Sequence, residues 1–174
     1  VIARLSTDNK PYWCNGTTWV DMTLLGSTDT RLTTVRLAAD VINNTKTLAD
    51  VTSLAIALAA NSTYAIDAKV MFQTAATATG IRLTQTMPTG ATVVAQWNTP
   101  TSLTARTLAN QRAADSGAAT TGVDVANANT LATASLLVIT GATAGNLLIR
   151  FASKVAGSNA VVKAGSNLVA IKVA

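Results

Sequence analysis

Few residues in this chain could do chemistry. All eight acidic residues are Asp, there is neither Glu nor His, and Cys14 is the single cysteine. The commonest general bases, transition-metal ligands and nucleophile-activating groups are therefore missing from the sequence. Cys14 has no imidazole to draw off its proton, which leaves it an inert thiol or one half of an intersubunit disulfide. Asp115 and Asp124 flank a Gly-containing segment and could share a calcium ion, but each equally suits the cap of a turn. Gly141 to Gly145 lacks the Lys and Ser/Thr that complete a phosphate loop, and it reads as a hairpin turn instead. The expectation is a protein that is not an enzyme, with no catalytic residue, no metal site and no cofactor.

The aromatic residues are the remaining candidates. Tyr12, Trp13, Trp19 and Val20 fall within Lys10 to Met22, KPYWCNGTTWVDM, which also holds two of the three Trp and the only Cys. Flat aromatic faces can stack on a sugar ring or anchor a protein contact. Asn15-Gly16 between them tolerates the positive φ of a tight primed turn, so Tyr12-Trp13 and Trp19-Val20 become the facing arms of a hairpin. A hairpin is marginal alone. Its apolar surface needs a partner, which makes these four residues the candidate attachment surface.

The elements that would carry such a surface are strands. Thr, Asn and Gly fill the polar positions, and they suit pleated strands and turns better than helices. Hydrophobic residues make up 49% of the chain and charged ones only 12%, which excludes a disordered composition. Tyr64 to Gln73 alternates with period two, placing Tyr64, Ile66, Ala68, Val70 and Phe72 on one face and Asp67 and Lys69 on the other. Ile81 to Gln85, Leu147 to Val155 and Asn167 to Val173 repeat the design. Turn residues recur between them at Asn43-Asn44, Asn61-Ser62, Pro88 to Gly90, Ser116-Gly117, Gly157 to Asn159 and Gly165 to Asn167. This pattern predicts an all-β fold, an antiparallel β-sandwich, jelly-roll-like, with a short N-terminal hairpin or arm. The Ala-rich stretches Ser53 to Ala60 and Thr104 to Ala114 have helical propensity, and one short helix is expected over the second. Gly26 to Asp29 reads as a linker, dividing the chain into an arm, 1–28, and a sandwich, 29–174.

The net charge of +5 reflects scarce acids rather than abundant cations. The basic residues are dispersed and not interleaved with aromatics, which argues against a nucleic-acid groove. Val125 to Ile149 is uncharged and long enough to cross a bilayer, yet Asn, Gly and Thr interrupt it, so no membrane insertion is expected.

Thr47 to Thr84, TLADVTSLAIALAANSTYAIDAKVMFQTAATATGIRLT, resembles a domain common in virion structural proteins of tailed bacteriophages. Arg150 to Val173, RFASKVAGSNAVVKAGSNLVAIKV, resembles the end of the same domain. The first segment is similar to the strand, Asn-Gly-Thr and Trp unit of phage tail-fibre and appendage proteins. The resemblance implies a homotrimeric capsid-decoration (cement) or head- or tail-appendage protein, assembled in the bacterial host cytoplasm with other capsid or tail proteins as partners. The competing expectation is a receptor- or glycan-binding module of a tail fibre or bacterial adhesin, with the aromatic hairpin or the loops on a host surface glycan. A long fibre would add repetitive shaft sequence, and no internal repeat occurs here.

Overall fold

The computed structural model describes residues 3–5, 11–14, 17, 19–21, 31–117, 119–120 and 122–173. Every regular element among them is a β-strand. The chain divides into two compact units, Val1–Leu32 and Thr33–Ala174.

The first unit is a three-stranded antiparallel sheet of β1 (Ala3–Leu5), β2 (Pro11–Cys14) and β3 (Trp19–Asp21), in that order. Strands β2 and β3 pair as Tyr12 with Asp21, Trp13 with Val20 and Cys14 with Trp19. The expected arms therefore pair, but with Cys14 opposite Trp19 four residues lie between them rather than the two of a tight Asn-Gly turn, and Asn15 and Gly16 themselves lie outside the described residues. Strand β1, paired through Ala3 to Trp13 and Leu5 to Pro11, was not foreseen, because three residues carry no readable periodicity. The expected linker, Gly26 to Asp29, also lies outside the described residues.

The second unit holds β4 (Leu32–Arg36), β5 (Val41–Asn43), β6 (Ala49–Leu58), β7 (Thr63–Thr74), β8 (Ile81–Gln85), β9 (Thr92–Pro100), β10 (Arg106–Gln111), β11 (Thr130–Ile139), β12 (Gly145–Ser153), β13 (Ala160–Val162) and β14 (Asn167–Lys172). An eight-stranded sheet runs β10-β9-β11-β7-β13-β5, with β14 paired to β7 and to β4. Long β7 makes this branching possible. One of its edges takes β11, and the other is shared by β14 over Tyr64 to Lys69 and β13 over Phe72 to Thr74. A three-stranded sheet, β6-β12-β8, covers the inner face. The result is the antiparallel β-sandwich that the alternation predicts.

The core lies between the sheets. From the large sheet it takes Tyr64, Ile66, Val70 and Phe72 of β7, Leu136 and Val138 of β11, and Val93 and Trp97 of β9; the small sheet supplies Leu54, Ile56, Leu83, Ile149 and Phe151. Each fully buried large side chain contributes roughly 1.5–3 kcal/mol through the apolar area removed from water. Several polar groups inside are paired: Trp97 Nε1 donates to Gln85 Oε1 at 2.8 Å, Thr84 Oγ1 to Gln111 Oε1 at 3.1 Å, and Gln111 Nε2 to the Leu83 carbonyl at 3.1 Å, while Gln85 Nε2 is buried without a partner.

The helix expected over Thr104 to Ala114 is not formed. Strand β10 occupies Arg106 to Gln111 instead, paired with β9 from Arg106 opposite Pro100 to Gln111 opposite Ala95. Helical propensity is worth only tenths of a kcal/mol per residue. A six-rung ladder ending in the buried bonds of Gln111 outweighs it. Likewise Ser53 to Leu58 belongs to β6.

Candidate functional site: the outward face of the large sheet

In an open sheet, strand residues alternate between core and solvent, so a run of consecutive large apolar residues must present some of them outward. Strand β11 contains such a run, Leu136-Leu137-Val138-Ile139. Leu136 and Val138 are buried, whereas Leu137 and Ile139 are about half exposed, at 48% and 50%. Their cross-strand neighbours extend the surface. Leu137 lies opposite both Ala65 of β7 and Val94 of β9, and Ala65 lies opposite Ile171 of β14. One register row therefore reads Ile171, Ala65, Leu137, Val94 across four strands, with Val94 58% and Ile171 49% exposed. Ile139 and Val173 extend the patch toward one end of the sheet, where the Val173 amide donates to the Thr63 carbonyl at 2.8 Å.

The next two rows are polar apart from Val169: Val169, Asp67, Ser135, Gln96, then Asn167, Lys69, Thr133, Asn98. Short side chains in these rows leave a shallow hollow of about 210 Å³ between Asp67, Lys69, Thr133, Ser135 and Asn167. Asp67 accepts a hydrogen bond from Ser135 Oγ at 2.9 Å. Neither Asp67 nor Lys69 forms an ion pair among the described residues. The sequence reading placed Asp67 and Lys69 on this outward face but missed the apolar row. The doubled apolar run of β11 is the signal that could have found it.

The four residues expected to attach the chain occupy successive rungs of the first unit, Tyr12 and Trp13 on β2 and Trp19 and Val20 on β3. Trp13 and Trp19 are on adjacent rungs rather than opposite one another.

The carboxylates considered for calcium have separate settings. Asp115, in a turn at φ 57°, accepts from Arg150 Nη1 at 2.6 Å, while Arg150 Nε donates to Asp50 at 2.6 Å. The bond to Asp115 raises the Arg150 pKa above its ordinary value, with burial opposing it, so the guanidinium remains a cation at any ordinary pH. Asp124 lines a surface cleft of about 320 Å³ with Arg106, Leu103 and Val125. Among the described residues no group of three or more Cys or Asp side chains could hold a metal ion. None of their helices is long and apolar enough to cross a membrane, and Val125 to Ile149 supplies β11 and much of β12.

Fold and surface together define a class: an all-β antiparallel sandwich whose larger sheet turns an apolar row outward. No protein-family model matches the chain, and no curated protein matches it. Among solved structures, one of the infectious bursal disease virus Gt strain matches at 13% identity and a TM-score of 0.30, covering 97% of this chain and 50% of that one. The VP2 subviral particle of infectious bursal disease virus matches at 13% identity and a TM-score of 0.28, covering 82% of this chain and 37% of that one. The chain thus spans half or less of the structures it matches, and at these scores the likeness says nothing of its role.

Proposed function

We propose that this protein is a non-enzymatic structural component of a tailed-bacteriophage virion, a homotrimeric capsid-decoration or head- or tail-appendage protein. The observation that carries the reading is the apolar row on the outward face of the large sheet. Ile171, Leu137 and Val94, each about half exposed, in one row with Ala65 suit a surface that assembly covers. The resemblance of Thr47 to Thr84 and Arg150 to Val173 to phage virion domains supports the same reading, and supplies the particle. Residues 1–28 serve as the attachment arm, with Tyr12, Trp13, Trp19 and Val20 as anchors on a neighbouring virion protein, while residues 29–174 are the displayed sandwich.

The test uses particles lacking the protein, to which it is added back. The full chain carrying Trp13→Ala and Trp19→Ala should fold and melt as the parent does, yet bind particles roughly a hundredfold or more weakly, as expected when two anchoring aromatics are removed. A chain lacking residues 1–28 should stay folded and not bind. Normal decoration by either variant would place the anchor in the sandwich.

A further inference from the structure

Two opposite charges share a cleft without meeting each other. Arg106 and Asp124 both line the cleft of about 320 Å³ at the end of the large sheet where β9 stops and β10 and β11 start. Neither side chain forms an ion pair or a hydrogen bond among the described residues. A guanidinium and a carboxylate held apart in one cleft are both left to bind something else.

The two walls are fixed by backbone bonds. The β9–β10 turn is closed by the amides of Thr101 and Ser102, which donate to the Ala105 carbonyl at 2.9 and 3.1 Å. The facing segment is tied down where the Val123 amide donates to the Thr77 carbonyl and the Asn127 amide to the Thr74 carbonyl, both at 2.8 Å.

Hydrogen bonds in these walls also set the polarity of the lining. Ser102 Oγ accepts from the amides of Thr104 and Ala105, at 3.3 and 2.9 Å, so its own proton is free to be donated. Asn129 Oδ1 accepts from Gln73 Nε2 at 2.8 Å, which leaves the Asn129 amide N–H groups as donors. With Arg106, three lining side chains therefore present donors, and Asp124 is the one acidic acceptor. The matching ligand is rich in acceptors, carries a negative charge at one end and has hydroxyls to donate at the other. A phosphate matches less well, because its doubly charged oxygens would lie beside Asp124. Leu103 and Val125, 86% and 55% exposed, add aliphatic surface that suits the C–H face of a sugar ring.

The geometry points to a binding site for a carboxylate-bearing sugar, a uronic acid unit of a polysaccharide. Arg106 takes the carboxylate through its two-pronged guanidinium. Asp124 accepts from ring hydroxyls, and Ser102 and Asn129 donate to the remaining oxygens. The cleft lies near the lower limit of ligand pockets, about 300–1,000 Å³, which suits a short sugar unit. This site rests neither on the attachment arm nor on the outward apolar row.

The test presents the full chain with an array of uronic-acid glycans, each beside the same glycan with its carboxylate reduced to the alcohol. Binding should be confined to acidic members and fall about tenfold or more on reduction, as expected when a charged hydrogen-bonded pair is lost. Arg106→Ala should weaken binding by a similar factor. Arg112→Ala, which removes the same charge from an exposed position outside the cleft, should leave binding unchanged. Asp124→Asn separates this site from general attraction of anions: it should weaken binding severalfold here, whereas general attraction would strengthen. All three positions are exposed, so each variant should keep its circular dichroism. An array without acidic binders, equal losses for Arg106→Ala and Arg112→Ala, or tighter binding by Asp124→Asn would overturn the site.

Discussion

Replacing Trp97 with Ala is expected to cost about 3–5 kcal/mol, the range for deleting a large aromatic from a packed core. Trp97 is 1% exposed and is the largest fully buried side chain of the sandwich. It projects inward from β9, and its indole N–H holds the Gln85 side chain of β8 in the opposite sheet at 2.8 Å. One residue thus both fills the space between the sheets and ties them together. The truncation leaves a cavity and strands a buried amide, and the two penalties add. Trp97→Phe should fall in between, costing about 1–3 kcal/mol, because most of the volume stays and only the hydrogen bond is lost. Urea unfolding of the three proteins measures this directly. A loss below about 1 kcal/mol for Trp97→Ala would mean that the sheets are not held together through this residue.

Gly117→Ala should also destabilise the sandwich. Residues 115–117 and 119–120 lie along the outer edge of β8, with the Asp115 amide donating to the Gln85 carbonyl at 3.1 Å and the Thr120 amide to the Ile81 carbonyl at 2.8 Å. Arg82 fastens it further through the carbonyls of Gly117 and Asp115, at 2.9 and 2.7 Å. A Cβ on Gly117 would stand 2.1 Å from the Leu83 carbonyl oxygen and 2.8 Å from Thr84 Cβ. Both are parts of β8, a backbone carbonyl and a buried side chain that cannot give way, so the segment must lift. Forced overpacking of this kind costs about 1–3 kcal/mol. That corresponds to a melting point lower by roughly 5 °C in a domain of this size. Lifting the segment also bares a sheet edge, which invites association between chains. A thermal melt followed by light scattering reads both effects. An unchanged melting point would show that the segment does not hug β8.

Much of the fold was legible because period two survives along the long strands that bury one face. Tyr64 to Gln73 is the clearest case, and every large apolar residue assigned inward there is buried. Strands β8, β12 and β14 were read in the same way. The failures have physical causes. Strand β10 lies within the Ala-rich stretch Thr104 to Ala114, and Ala fits a helix and a strand alike until a neighbour pairs with it. Strand β6 breaks its alternation at Thr52-Ser53, where four residues lie between Asp50 and Ala55 while only one lies between their partners on β12, Arg150 and Leu148. The ion pairs of Arg150 join it to residues 100 and 35 positions away, and no local pattern encodes such a meeting. The apolar row escaped for a related reason. Leu137, Val94 and Ile171 lie far apart in sequence, and only the register of four strands aligns them.

Whether this protein is built into a virus particle is decided by an image of purified phage particles in which it carries a compact label. Label is expected at regularly repeated positions on the capsid or on a tail appendage, with density at each position that fits three copies. Particles without label, beside labelled protein left free in the lysate, would contradict it.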